Sequence, residues 1–259
     1  MRIAIFSDVH GNLTALEAVL ADIKQQAPDA IAFAGDACLF GARPKACLDL
    51  IRDQGMICVQ GNTDKMVASH ALLSGNIKAE KGERQRNAQN LREWTAFQLT
   101  ALDRNWLEGL PFRRRISPTT NPHHDLLLVH ANPQDLDQPI YAPTAQQKAM
   151  WGEVRQPDSA LWAIMKDTLV AVLAFGHFHV PSVRRWQGMQ LANISSVSLP
   201  LDGDHRAKYG LLTWRASGPN SGQWQIEQRY IEYDVEQEIK ILAERQPPDW
   251  QELQQRLRS

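Results

Sequence analysis

Five times along this chain a short apolar run ends abruptly in a residue that can bind a metal ion or a proton. The runs end at Ser7-Asp8-Val9-His10-Gly11, Gly35-Asp36, Gly61-Asn62, Val129-His130 and Gly176-His177-Phe178-His179. Apolar runs of this length, punctuated by glycine, are how strands buried on both faces read. In open α/β sheets, sites form beyond the carboxyl ends of the strands. The pattern therefore demands a fold that gathers several strand ends on one rim and delivers a polar group from each.

The N-terminal third fits that demand. Residues 2–7 read as a strand. Asn12 caps a helix with Leu13, Leu16, Leu20 and Ile23 on one stripe, and Pro28 stops it. Residues 30–34 form the next strand. Pro44 opens a second helix with Leu48 and Ile51 inward and Gly55 at its end, and residues 56–59 form a third strand. This alternation predicts a parallel sheet with helices on its faces.

Residues 65–110 read as inserted helices, with Trp94, Phe97, Leu102, Trp106 and Leu107 as apolar anchors and His70 on a helix surface. Residues 113–121 read as a strand and a turn-rich loop, with His123 and His124 exposed beyond it. Residues 125–129 and 169–175 read as buried strands, with a Pro-rich irregular stretch at 133–145 and short helices at 145–151 and 159–167 between them. Four short strands follow (182–186, 189–194, 209–214, 223–230), and their Gly turns predict an antiparallel sheet. Residues 235–245 are helical, and a short helix follows Pro248. The whole of 1–259 reads as one domain with an insertion at about 65–110.

The chain has 259 residues, 43% of them hydrophobic, enough for a sizeable core. A net charge of −1 excludes bulk nucleic-acid or membrane-surface binding. The Arg113-Arg114-Arg115 and Arg184-Arg185 clusters read as solvated surface. Cys38, Cys47 and Cys58 lack metal or redox spacing and read as buried thiols of a reducing compartment. A strand starting at Arg2 leaves no room for a signal peptide, and no apolar run approaches the ~20 residues of a membrane span. The expectation is a cytoplasmic protein.

The ligand inventory is two Asp, one Asn and four His. That mix suits Mn, Fe, Zn or Co rather than Ca, and it is enough for two ions. A metal pair acidifies water and stabilises charge on a phosphoryl group, and it needs a bridging carboxylate with neutral imidazoles around it. The order Asp-x-His, Gly-Asp, Gly-Asn-x-Asp, His, Gly-His-x-His resembles the calcineurin-like metallophosphoesterase superfamily. More narrowly, it is similar to the bacterial branch related to diadenosine tetraphosphatases and small phosphodiesterases. The motifs span Asp8 to His179, with a fainter echo to Tyr209.

The resemblance implies an αββα sandwich of two mixed β-sheets flanked by helices. It implies that Asp8, His10 and His179 hold one divalent ion, that Asn62, His130 and His177 hold the other, and that Asp36 bridges them. Manganese is the leading metal, with Fe, Zn, Co and Ni as alternatives. The implied chemistry is in-line attack by a metal-bridging hydroxide on a phosphodiester, phosphomonoester or phosphoanhydride, with a phosphate-ester or nucleotide small molecule as substrate. The chain departs from the family at Thr63, where many members carry His. It departs again at Asn193-Ile194-Ser195-Ser196-Val197-Ser198, where relatives tend to read Asn-Pro-Gly-Ser-Val-Gly. A hydroxyl is a poor proton donor at neutral pH, so aryl esters and phosphoanhydrides become the expected substrates. Thr63, His205 and Arg206 are the remaining candidates for contact with substrate. Asp64 reads as a helix cap, and Trp106 or Trp151 as a surface on which a base can stack, among tryptophans that are otherwise core. The alternative is a non-catalytic metal-binding scaffold of the same fold that binds a protein. The oligomeric state is left open.

Overall fold

The computed structural model describes residues 1–69, 83–218 and 221–258. His70 lies outside the described residues. Two five-stranded sheets form the centre. The first takes β1 (Arg2–Phe6), β2 (Ala30–Phe33), β3 (Ile57–Cys58), β9 (Ala207–Gly218) and β10 (Ser221–Ile231), in the order β10-β9-β1-β2-β3. The second takes β4 (Arg113–Ile116), β5 (Leu126–Val129), β6 (Val172–Phe175), β7 (Ser182–Trp186) and β8 (Met189–Asn193), in the order β4-β5-β6-β8-β7. In the first sheet β1, β2 and β3 are parallel, and in the second β5, β6 and β8 are parallel. Both sheets are therefore mixed.

Alternation along β1 shows why both faces had to be apolar. Ile3 and Ile5 face the second sheet, packing with Leu126, Leu128, Val172 and Ala174. Ala4 and Phe6 face the other way, into a core made with α1 (Leu13–Gln26) and α2 (Pro44–Asp53). A third cluster covers the outer face of the second sheet, where Leu127, Val129 and Leu173 meet Leu161 and Ile164 of α7 (Leu161–Ile164). The layers thus run helix, sheet, sheet, helix. The helices begin where the chain supplies caps: the Asn12 side chain accepts from Ala15 N–H at 3.0 Å, a contact of about 1 kcal/mol.

Between the sheets in sequence lie α3 (Asn62–Ala68), α4 (Glu83–Phe97), α5 (Ala101–Glu108) and, after β5, α6 (Thr144–Trp151). The C-terminal helices are α8 (Val235–Arg245) and α9 (Trp250–Arg258). Among the described residues, no helix is long and apolar enough to cross a membrane.

Five readings need correction. The four late strands do not share one sheet: β7 and β8 form a hairpin on the second sheet, while β9 and β10 form a hairpin on the first. Turn spacing encodes a hairpin but not its neighbour. Phe97 and Leu102 are not anchors, at 83% and 78% exposed. The buried stripe runs instead through Leu91, Ala96, Leu99 and Leu107. Arg184 is not free surface: it pairs with Asp158 at 2.7 Å and its second nitrogen donates to the Tyr141 carbonyl. His124 is half-buried against Trp214, with ring centroids 4.7 Å apart, while Trp162 is exposed.

Candidate metal centre

Each polar group stands just past the end of a strand. Asp8 and His10 follow β1, Asp36 follows β2, Asn62 follows β3, His130 follows β5, and His177 and His179 follow β6. The chain must turn sharply there to aim side chains at a common point. Asp8, His10, Asp36, His177 and His179 all take left-handed backbone angles, with φ between 49° and 67°. Non-glycine residues avoid that region at a cost of about 1 kcal/mol or more, and such strain gathers at functional sites. The turns are laced together by main-chain bonds: Asp8 N–H donates to Gly35 O at 2.9 Å, and Gly176 N–H to His130 O at 2.9 Å.

Two groups result. Asp8, His10 and His179 bring ligand atoms within 4.8 Å of one another, and so do Asp36, His130 and His177. Asn62 joins the second group, its Oδ1 lying 3.0 Å from His130 Nε2. Asp36 links the groups. Its Oδ1 is 3.5 Å from His130 Nε2 and its Oδ2 is 3.9 Å from His10 Nε2.

Every imidazole is oriented from behind by a carbonyl. His10 Nδ1 meets Leu39 O at 3.0 Å, His130 Nδ1 meets Ala34 O at 2.8 Å, His179 Nδ1 meets Leu199 O at 2.7 Å, and His177 Nε2 meets Asp137 O at 2.8 Å. The far nitrogen thus carries a proton, and the near one is a lone pair unless the ring takes a second proton. These near nitrogens converge in pairs, His10 with His179 at 3.2 Å and His130 with His177 at 3.1 Å. Lone-pair nitrogens facing one another beside two buried carboxylates form two groups that could each hold a cation.

The ionisation of the bare centre reflects this. Burial works against the Asp8 charge, yet His179 and the neighbouring imidazoles hold it below the usual carboxylate range. Burial likewise opposes charge on His179, but Asp8 at 3.1 Å raises it. Burial and then His179 push His10 down to about 3, and burial and then His130 lower His177. Burial and the Asp8 carboxylate push Asp36 up to about 7.

Glycine is required where the motifs place it. A Cβ on Gly61 would overlap the Asp36 carboxylate and main chain, and one on Gly176 would overlap Ser7 Oγ and Asp8 Oδ2. Ser195, in the loop where the sequence departs from the family pattern it resembles, takes a left-handed turn, with φ 65° and its N–H donating to Asn193 Oδ1 at 2.8 Å.

The other candidates are distributed unevenly. Thr63 is buried beside the centre; its N–H donates to Asp36 Oδ1 at 3.0 Å, and its Oγ1 has no partner among the described residues. Asp64 does more than cap α3. Its carboxylate accepts from Asp36 N at 2.8 Å, Ala37 N at 2.9 Å and Gly61 N at 3.0 Å, stitching two ligand loops together. The helix-start signal at Asp64 was visible in the sequence, but its reach to Asp36 was not. The four orienting carbonyls carry no side-chain signature at all. Arg206 binds Asp204 through Nε at 3.0 Å and Nη2 at 2.5 Å and covers the Tyr230 ring, while His205 is exposed. Among the described residues, neither bonds to the seven candidate ligands.

A family model described as the calcineurin-like phosphoesterase superfamily domain matches residues 1–217. A Methanocaldococcus jannaschii protein, the uncharacterized MJ0912, is 27% identical over 96% of this chain and 94% of its own length. The crystal structure of a metallophosphoesterase from Sphaerobacter thermophilus is 26% identical, with a TM-score of 0.72 over 100% of this chain and 99% of that one. A hypothetical protein of Pyrococcus horikoshii, PH1004, has the same fold at 16% identity, with a TM-score of 0.73 over 99% of this chain and 97% of that one.

Proposed function

The chain belongs to the calcineurin-like phosphoesterase superfamily, and from that premise we propose that it hydrolyses phosphoesters or phosphoanhydrides at two divalent ions, manganese first among them. Membership supports a hydrolase of phosphoester bonds and a need for divalent metal. The observation that carries the two-ion reading is the pairing of four carbonyl-oriented imidazoles at 3.2 and 3.1 Å around the shared Asp36 carboxylate. The residues fit such ions: lone-pair nitrogens face inward, the outer nitrogens are tied to carbonyls, and two buried carboxylates stand among them. Asp8, His10 and His179 would hold one ion, Asn62, His130 and His177 the other, and Asp36 would serve both.

When bound, a divalent pair acidifies water and draws in phosphoryl oxygens. The protein does the rest. Only two of the seven ligands are carboxylates, so the loaded centre keeps positive charge for an anionic substrate. Thr63 N–H and the Asp64 carboxylate keep Asp36 facing both positions. The buried Thr63 hydroxyl donates a hydrogen bond to a substrate oxygen but supplies no strong acid. Arg206 is committed to Asp204, and exposed His205 is the remaining candidate acid. Leaving groups of low basicity follow: aryl phosphates and phosphoanhydrides ahead of alkyl esters. We also read 1–259 as one domain with an insertion at about 65–110, and as a cytoplasmic protein, a reading supported by its three free, buried cysteines.

The test is Asp36→Ala assayed on p-nitrophenyl phosphate, bis-p-nitrophenyl phosphate and dinucleoside polyphosphates with manganese. The variant is expected to lose nearly all turnover on every substrate the natural chain accepts. Unchanged turnover would overturn the reading.

A further inference from the structure

Phe178 is the single residue between His177 and His179, and those two imidazoles belong to different ligand groups. Its backbone therefore lies at the seam between the two groups. Two other rings meet it there. Tyr141, from the irregular segment before α6, lies 4.8 Å away between centroids, and Trp151, the last residue of α6, lies 5.6 Å away. Tyr141 and Trp151 meet edge-on at 5.4 Å. All three are half-buried.

The cluster is tied to the centre twice. Phe178 is held covalently by two candidate ligands. The segment carrying Tyr141 also supplies the Asp137 carbonyl that orients His177 at 2.8 Å. The three rings meet in tilted and edge-on contacts and each is only half-buried, so part of their surface stays open to another ring. The exposed Arg155 guanidinium lies 4.4 Å over the Trp151 ring and pairs with Glu153 at 3.1 Å, which holds that ring in place. An aromatic group joined to a phosphate matches both features, with the anion at the metal centre and the ring on the cluster.

We propose that Tyr141, Trp151 and Phe178 form a subsite for a planar aromatic group of the substrate, a nucleobase above all. The ligand's phosphate is placed by the phosphoesterase reading, on which this inference rests. Stacking of a base on such side chains is worth about tenfold or more in affinity.

The test is calorimetry on the manganese-loaded protein with two phosphonates that cannot be hydrolysed. One is the analogue of AMP with a methylene in place of the ester oxygen, and the other is the matching ribose phosphonate without a base. The natural chain is expected to prefer the base-bearing probe by about tenfold. Trp151→Leu and Tyr141→Leu are expected to reduce that preference to under about threefold while leaving manganese stoichiometry and the ribose probe's affinity in place. Equal affinity of the two probes for the natural chain would overturn the subsite, and this comparison needs no variant to fold. Equal weakening of both probes in the variants would also overturn it, since the rings would then only brace His177 and His179. Base preference without hydrolysis of any phosphoester would sink the phosphoesterase reading and leave the subsite standing. Hydrolysis without base preference would do the reverse.

Discussion

Gly61→Ala isolates what the centre requires from what the fold requires. Gly61 sits at φ −92° and ψ 167°, a conformation alanine adopts freely, so the backbone raises no objection. The added methyl is the whole perturbation. It would lie 2.9 Å from Asp36 Cγ and closer still to Oδ1 and to the Asp36 amide nitrogen. Ordinary contact begins near 3.4 Å, so the carboxylate oxygen must retreat by about 1 Å. The loops cannot share that movement easily, because Asp64 holds Gly61 N and Asp36 N together at 3.0 and 2.8 Å. A displacement of that size at a reacting centre costs about a hundredfold in rate. Overpacking costs about 1–3 kcal/mol of stability. The assay is kcat/KM on bis-p-nitrophenyl phosphate with saturating manganese, beside urea unfolding. Gly55→Ala is the control. Gly55 has φ +63° with nothing within 4 Å of a new Cβ, so it loses about 1 kcal/mol of stability and no activity. Full activity in a folded Gly61→Ala variant would refute the close approach of the β3–α3 turn to Asp36 as the reason for glycine there.

Asp64→Ala leaves three buried backbone N–H groups without their acceptor, each worth about 1–3 kcal/mol, so urea unfolding should register a loss of at least about 3 kcal/mol. A loss under about 1 kcal/mol would mean that Asp64 only caps α3. In the metal-free protein Asp36 is pushed up to about 7, chiefly by burial and then by Asp8. An ion needs the ionised carboxylate, so manganese affinity falls as pH drops below about 7, and this group stops contributing to the pH dependence above it. Calorimetry at pH 6 in buffers of different protonation enthalpy should detect the released proton, and buffer-independent heats would contradict this. Leu107→Ala empties a fully buried position and should cost about 2–5 kcal/mol. Exposed Phe97→Ala and Leu102→Ala should each stay within about 0.5 kcal/mol, as differential scanning calorimetry can check.

The layered fold was legible because strands buried on both faces must be apolar throughout, and Ile3 to Phe6 are. The seven candidate ligands were legible because each ends such a run. What could not be read follows from distance in sequence. Asp64 meets Asp36 across 28 positions through main-chain hydrogen bonds, which no residue type announces. The carbonyls of Ala34, Leu39, Asp137 and Leu199 orient imidazoles with an atom every residue possesses. The hairpins β7–β8 and β9–β10 looked alike locally, and only their partners, β6 and β1, assign them to different sheets. Phe97 and Leu102 misled because helical phase, not hydrophobicity alone, decides which residues face inward.

The most direct measurement is anomalous diffraction from crystals equilibrated with manganese. Two peaks are expected, one among Asp8, His10 and His179 and one among Asn62, His130 and His177, both in contact with Asp36. A single peak, no peak, or a pair of peaks that does not share the Asp36 oxygens would contradict a two-ion phosphoesterase centre.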